Sequence, residues 1–212
     1  MEETQESRGI MTGSHYYSRK VKRRGGYALI SDVIRGVTVE FEVVSGIFSY
    51  KRIDDGTKLL LEYAEVPEEG MVLDMGCGYG VIGITIAKLN PKLKIYMVDI
   101  NEETVRLARR NVIRNKLDTN SIIILHGNLY EPVANMVFDA IYSNPPFATG
   151  SDVVERIIVE APKHLNAGGT LQIVARKGAE KIEKLMRQTF SKVEIRASKK
   201  GYKVLLARKL KL

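Results

Sequence analysis

The sequence predicts an α/β fold: a mostly parallel seven-stranded sheet with a C-terminal antiparallel hairpin and helices on both faces. Three observations carry this. From Pro67 onward, short apolar runs such as MVLDM and KIYMVD alternate with amphipathic segments of helical period. The runs are apolar on both sides, as in parallel strands covered twice, and the segments between them are long enough for right-handed crossover helices. The last two runs, KVEIRAS and YKVLLAR, are joined about Lys200-Gly201 and must therefore be antiparallel to each other.

The elements follow in order. Residues 1–20 are polar and without period, and are expected to form a flexible tail. Residues 21–212 are expected to form a single domain, with 21–66 a strand-and-helix extension and 67–212 the core. VTVEFEVVSG (37–46) alternates as a strand does. GTKLLLEYAEV, after Asp54 and Asp55 and ending at Pro67, is expected to be helical. MVLDM is the first core strand, GVIGITIAKLN a helix closed by Asn90-Pro91, and KIYMVD the second strand. Asn101 caps a helix with Glu102 and Glu103 in its first turn and Val105, Ala108 and Val112 on one face. SIIILH and FDAIYS are the third and fourth strands. A helix opens at Ser151, its face marked by Val154, Ile157, Ile158, Ala161 and Leu165, with a bend expected at Pro162. GTLQIVA is the fifth strand, and Ile182, Leu185, Met186 and Phe190 mark the last helix.

Composition narrows the function classes. The 212 residues are 44% hydrophobic and 27% charged, as in soluble globular proteins. A single cysteine, Cys77, excludes an intrachain disulfide, and no apolar run is long enough for a membrane helix, so a cytoplasmic protein is expected. No His and Cys fall at metal-ligand spacing, and no metal is predicted. The formal charge of +8 is concentrated in Arg19, Lys20, Lys22, Arg23 and Arg24 and in Lys199, Lys200, Lys203, Arg208, Lys209 and Lys211. Such clusters attract polyanions, and nucleic acid and a merely solvated surface remain equal readings of the charge alone.

VLDMGCGYGVIG holds the chemistry. Gly78, Gly80 and Gly83 form G-x-G-x-x-G with Asp99 after the next strand, which is the dinucleotide-binding fingerprint. Gly76, Gly78 and Gly80 form a second, alternating set. Asp74 separates the two readings. A carboxylate at the strand end is unfavourable beside a pyrophosphate and well suited to a cofactor bearing ammonium and sulfonium cations. Asp99 suits ribose hydroxyls in either case. SNPPF (143–147) follows the fourth strand. Its prolines stiffen the chain and lack N–H groups, leaving carbonyls free, while Asn144 adds an acceptor and Phe147 an aromatic face. Acceptors beside an aromatic platform are what an amino group on a planar ring requires. His126 and Cys77 read as structural residues.

From Gly46 to the C-terminus the chain resembles class I S-adenosylmethionine-dependent methyltransferases, which are Rossmann-like. Within them it is similar to the methyltransferase small domain group that includes RsmC-like ribosomal RNA guanine-N2 methyltransferases. VLDMGCGYGVIG resembles the family's cofactor loop, VDIN its ribose-binding position and NPPF its amino-methylating motif. GIFSYKRIDDGTKLLLE resembles the segment G-V-F-S…D-x-G-T-x-L-L-L ahead of that loop. The resemblance implies S-adenosylmethionine as cofactor, held by Asp74, Gly76, Cys77, Gly78, Gly80, Asp99, Ile100, Asn128 and Asn144. It implies catalysis by Asn144, Pro145, Pro146 and Phe147 on RNA, with ribosomal RNA the expected partner, contacted through the two basic groups. Two departures stand out. Bacterial members carry a degenerate copy of the domain ahead of the catalytic one, where this sequence has only residues 1–71, and Asn128 stands where Asp often faces the adenine amino group. Adenine-N6 and protein glutamine-N5 methyltransferases share the NPP motif. A nicotinamide dehydrogenase would leave Asp74 and NPPF idle, and a non-catalytic RNA-binding module would leave the cofactor loop unexplained.

Overall fold

Among the described residues two antiparallel strands come first, β1 (Tyr27–Ile34) and β2 (Val37–Val44), joined by a tight turn at Arg35-Gly36 where both residues have positive φ. The computed structural model describes residues 26–44, 52–145 and 151–210. The tail at 1–20 and the basic run at 19–24 lie outside these residues. So do 45–51, with the start of the segment beginning at Gly46. The strand expected at 37–46 is present to Val44, but β1 was not anticipated. Its Leu29 and Val33 are 57% and 64% exposed while Ile34 is buried, so both faces carry apolar residues and the period of two is blurred.

The remainder follows the predicted alternation. Helix α1 (Asp55–Tyr63) precedes β3 (Met71–Met75), α2 (Val81–Leu89), β4 (Lys94–Asp99), α3 (Glu102–Arg114), β5 (Ile122–His126) and β6 (Phe138–Ser143). Then come α4 (Ser151–Glu160), β7 (Leu165–Ala175), α5 (Ala179–Thr189), β8 (Lys192–Lys199) and β9 (Tyr202–Arg208). The bend expected at Pro162 is a change to a 3-10 turn over Ala161–His164. Seven strands form one sheet in the order β5-β4-β3-β6-β7-β9-β8, with β3 to β7 parallel and β9 antiparallel to both its neighbours. The β1–β2 pair is a separate sheet.

Alternate residues of each strand enter different cores. Val72, Ala140, Tyr142 and Val204 join α1, α2, α3 and the inner face of the hairpin, whereas Leu73, Met75, Ile141 and Leu205 pack with α4 and α5. Asp74 falls on the α2 side by the same alternation and accepts a hydrogen bond from the Gly83 N–H.

The outer edge of β2 is completed by side chains rather than by a strand. Asn111 Oδ1 accepts from the Glu42 N–H at 2.7 Å, and its Nδ2 donates to the Glu42 and Tyr79 carbonyls. Asn115 treats Glu40 in the same way, at 3.1 and 2.6 Å. The spacing works because one turn of helix advances about as far as two residues of a strand, roughly 6 Å. Arg110 adds an ion pair to Glu42 at 2.7 Å. Asn111→Ala is expected to destabilise the protein by about 2–4 kcal/mol, because it leaves buried backbone groups of Glu42 and Tyr79 unpaired. Urea unfolding checks this, and a loss below about 1 kcal/mol would mean that β2 is held by apolar packing alone.

Candidate active site

Parallel register assembles the site. Met75 pairs with Val98 on one side and Ser143 on the other, and Asp99 pairs with His126. Gly76, Asp99, Asn144 and the turn at Gly127-Asn128 therefore leave the sheet side by side at its carboxyl edge. The chain winds outward from β3 to β4 and β5, then returns to β6 on the other flank. This reversal opens the crevice between β3 and β6 in which such sheets hold ligands.

The loop after β3 is fixed by its neighbours. Gly76 N–H and Cys77 N–H both donate to the Val98 carbonyl, at 2.8 and 3.0 Å, and Gly78 N–H donates to Asp99 Oδ2 at 2.8 Å. Gly76 and Gly78 have φ of +72° and +56°, and a Cβ on either would meet nothing within 4 Å. Glycine relieves the strain of these conformations and leaves bare backbone facing open space, where a ligand can lie against the chain. Gly80, also at positive φ, caps α2. The Cys77 thiol is buried, and burial with the nearby Asp74 and Asp99 charges pushes its pKa well up, so it stays protonated.

Asp74 is 1% exposed. Its Oδ2 accepts from the Gly83 N–H at 2.8 Å, while Oδ1 is buried with no partner among the described residues. Burial raises its pKa from the ordinary 3.8 to about 7. The Gly83 hydrogen bond opposes this, and the Asp99 charge adds to the rise. The unpartnered oxygen of this buried carboxyl, beside a bare glycine loop, suits a cationic group better than a phosphate. Asp99 holds the loop as well as facing the cleft: Oδ2 accepts from Gly78, and Oδ1 accepts from the Asn101 N–H at 2.8 Å. Each oxygen keeps a lone pair for a ribose hydroxyl.

The remaining positions follow from the strand ends. Ile100 is half-buried, and its carbonyl lies 2.9 Å from His126 Nε2, which gives that histidine a structural contact. Asn128 Nδ2 donates to Glu131 Oε1 at 3.1 Å, so its Oδ1 remains as an acceptor. Ser143 is buried and bonds from Oγ to the Met75 carbonyl, tying β6 to β3 just before the loop. Asn144 Nδ2 donates to Asp54 Oδ2 and to Thr57 Oγ1, each at 2.8 Å. Pro145 is buried, while Pro146 and Phe147 lie outside the described residues. In the sequence Asp54 and Thr57 read only as the start of a helix, outside the site. The helix-cap pattern marks them, but their contact with Asn144 spans ninety residues.

The expected C-terminal basic group is not one surface. Lys203 pairs with Ala175 at the carboxyl edge, next to the turn bearing Lys199 and Lys200, whereas Arg208 pairs with Thr170 at the opposite end. Arg208 grips Glu65 with bonds of 2.7 and 2.8 Å, and Lys209 Nζ donates to the Pro162 and Leu165 carbonyls. These two cations serve the fold, and Lys211 lies outside the described residues. In their place the structure brings Arg176 and Lys177 to the carboxyl edge, both exposed, with Arg176 5.3 Å above the Tyr202 ring. A concavity of 530 Å³ lined by Glu65, Asp139, Thr170 and Arg208 lies at the amino ends of the strands, on the edge away from the glycine loop. Among the described residues no group of His, Cys, Asp and Glu is arranged to hold a metal, and no helix is long and apolar enough to cross a membrane.

The profile of the methyltransferase small domain matches residues 38–206. The chain belongs to this family. It is 36% identical over 200 residues to the uncharacterized protein YbxB of Bacillus subtilis, covering 92% of this chain and 98% of that one. It is 37% identical over 163 residues to the ribosomal RNA small subunit methyltransferase C of Haemophilus influenzae (strain Rd), covering 75% of this chain and 48% of the relative. Among solved structures, the T. thermophilus 16S rRNA N2 methyltransferase RsmC, in complex with AdoMet and guanosine, superposes with a TM-score of 0.75 and 26% identity. That match covers 86% of this chain and 50% of the other. The chain thus spans about half the length of the methyltransferase C relatives it matches.

The Asp74 carboxylate makes stability depend on pH in an unusual sense. Its folded pKa lies above its unfolded value, so the folded state holds the proton more tightly and loses stability as pH rises from near 4 through about 7. Asp74→Asn keeps the acceptor for Gly83 and removes the charge. The ligand-free variant is expected to be more stable than the wild type at pH 8, by up to about 4 kcal/mol, with the gain vanishing near pH 4. Urea midpoints across pH 4–8 test this, and a difference that does not change with pH would exclude Asp74 as the titrating group.

Proposed function

We propose that this methyltransferase transfers the methyl group of S-adenosylmethionine to the exocyclic N2 of a guanine in ribosomal RNA. The single observation that carries the reading is the orientation of Asn144 beside the glycine loop. Both its amide hydrogens are bonded within the protein, which leaves Oδ1 as an acceptor at the carboxyl edge. The family, the rRNA methyltransferase C relatives and the RsmC likeness support the choice of acceptor.

The cofactor supplies a methyl group on a positively charged sulfur, which leaves as a neutral thioether. Every other requirement falls on the protein. A guanine amino nitrogen is a weak nucleophile because its lone pair is shared with the ring. Asn144 Oδ1 and the Pro145 carbonyl accept its two hydrogens and turn the lone pair toward the methyl group, and the same oxygens stabilise the positive charge that grows on nitrogen. The methylated ammonium then gives its proton to solvent, so no strong base is required. Asp74 would hold the cofactor's ammonium, Asp99 its ribose hydroxyls and Asn128 Oδ1 its adenine amino group. The resemblance assigns Phe147 to stack on the base, which must be unpaired or flipped to reach the pocket.

Arg176, Lys177, Lys199 and Lys200 contact the RNA backbone from the same edge. Replacing Lys199 and Lys200 by Gln is expected to flatten the salt dependence of RNA affinity by about one to two units of slope. An unchanged slope would place the RNA elsewhere.

Asn144→Ala is expected to leave cofactor affinity nearly intact and to lower turnover about 10²–10³-fold, because its carbonyl acts as charge develops. Mass spectrometry of RNA nucleosides after reaction reads the product directly. N2-methylguanosine supports the reading, whereas N6-methyladenosine, or methylated protein with unmodified RNA, overturns the choice of acceptor.

A further inference from the structure

Asn144 reaches its orientation through α1. Asp54, the N-cap of that helix, accepts from the Thr57 N–H at 2.8 Å and from the Thr57 hydroxyl at 3.3 Å through one oxygen, Oδ2. The same oxygen takes one Asn144 amide hydrogen, and Thr57 Oγ1 takes the other. Thr57 Oγ1 is thereby committed, accepting from Asn144 while donating to Asp54. The second Asp54 oxygen lies 3.4 Å from the Tyr202 hydroxyl. Thr57 is buried and Asp54 half-buried, so water competes weakly for these groups.

The arrangement favours one orientation of the amide. If the amide turned over, its carbonyl oxygen would face the Asp54 carboxylate oxygen, a repulsion in a poorly solvated corner, and the Thr57 hydroxyl could bond to it only by giving up its own bond to Asp54. We propose that Asp54 and Thr57 are positioning residues for methyl transfer, which lock the Asn144 amide with Oδ1 toward the acceptor amino group and polarise it as an acceptor. The carboxylate draws the amide hydrogens and pushes electron density toward Oδ1, where positive charge grows on the substrate nitrogen. This inference rests on the proposed function. It adds that the helix cap of α1 is part of the reaction machinery, although neither residue touches the substrate.

Two substitutions separate positioning from folding. Asp54→Asn keeps a good helix cap but replaces the charged acceptor with an amide that can present either end. Thr57→Val keeps the shape of the side chain and removes the hydroxyl. Both variants are expected to bind S-adenosylmethionine and RNA within about twofold of the wild type, while single-turnover methyl transfer falls about 10²-fold. Thr57→Ser is expected to recover most of the rate lost in Thr57→Val. A second readout needs no RNA: the Asn144 side-chain amide protons, followed by 15N NMR, are expected to exchange slowly with solvent in the wild type and faster in Asp54→Asn and Thr57→Val. If the wild type methylates RNA and both variants keep its rate, the positioning role is wrong. Rapid amide exchange in the wild type overturns it equally. If the wild type transfers no methyl group to RNA while its amide protons stay protected, the lock stands and the assigned acceptor fails.

Discussion

The candidate site depends on parallel strands ending in register. A parallel strand cannot return by a tight turn, so each crossover carries the chain back to the opposite edge and every core strand delivers its following loop to the same side. Met75, Val98 and Ser143 sit abreast. For that reason three loops separated widely in sequence meet in one crevice. The reversal of winding between β3 and β6 keeps that crevice clear of crossover connections. Slipping β6 by one residue would turn Tyr142 out of its core and move Asn144 away from the glycine loop.

Within that frame, asparagine serves two purposes that differ in how its amide is satisfied. Asn111 and Asn115 use both ends of the amide on the backbone of β2 and act as an artificial neighbouring strand. Asn128 and Asn144 commit only the NH2 end, to a carboxylate in the first case and to a carboxylate and a hydroxyl in the second. Their oxygens are left as acceptors. A side chain that is ambiguous in isolation becomes a fixed acceptor because acidic groups lie behind it.

The sequence exposes what local chemistry controls. Core strands buried on both faces must be apolar throughout, and MVLDM or FDAIYS can hardly be read otherwise. Gly76 and Gly78 announce a backbone that side chains would strain, and Asp74 interrupts its apolar strand. What stayed hidden depends on where the chain goes afterward. β1 shows apolar residues on both faces, and its partner is known only once the turn at Arg35-Gly36 is seen. The division of the C-terminal cations follows from the length of β9: five residues of strand span roughly 16 Å, enough to carry Lys203 and Arg208 to opposite edges of the sheet. The contact of Asp54 with Asn144 has no local signature beyond a helix cap.

That contact also joins parts of the chain that lie far apart in sequence. Asn144 is oriented by residues ninety positions earlier in the chain, and the same Asp54 approaches Tyr202 a further stretch beyond it. Closing loops of this length comes late, after the helices and neighbouring strands have formed. A growing polypeptide therefore closes its glycine loop on Val98 and Asp99 well before its asparagine is held in place. The converse applies on heating: loosening α1 alone would release the Asn144 amide while the sheet still stands.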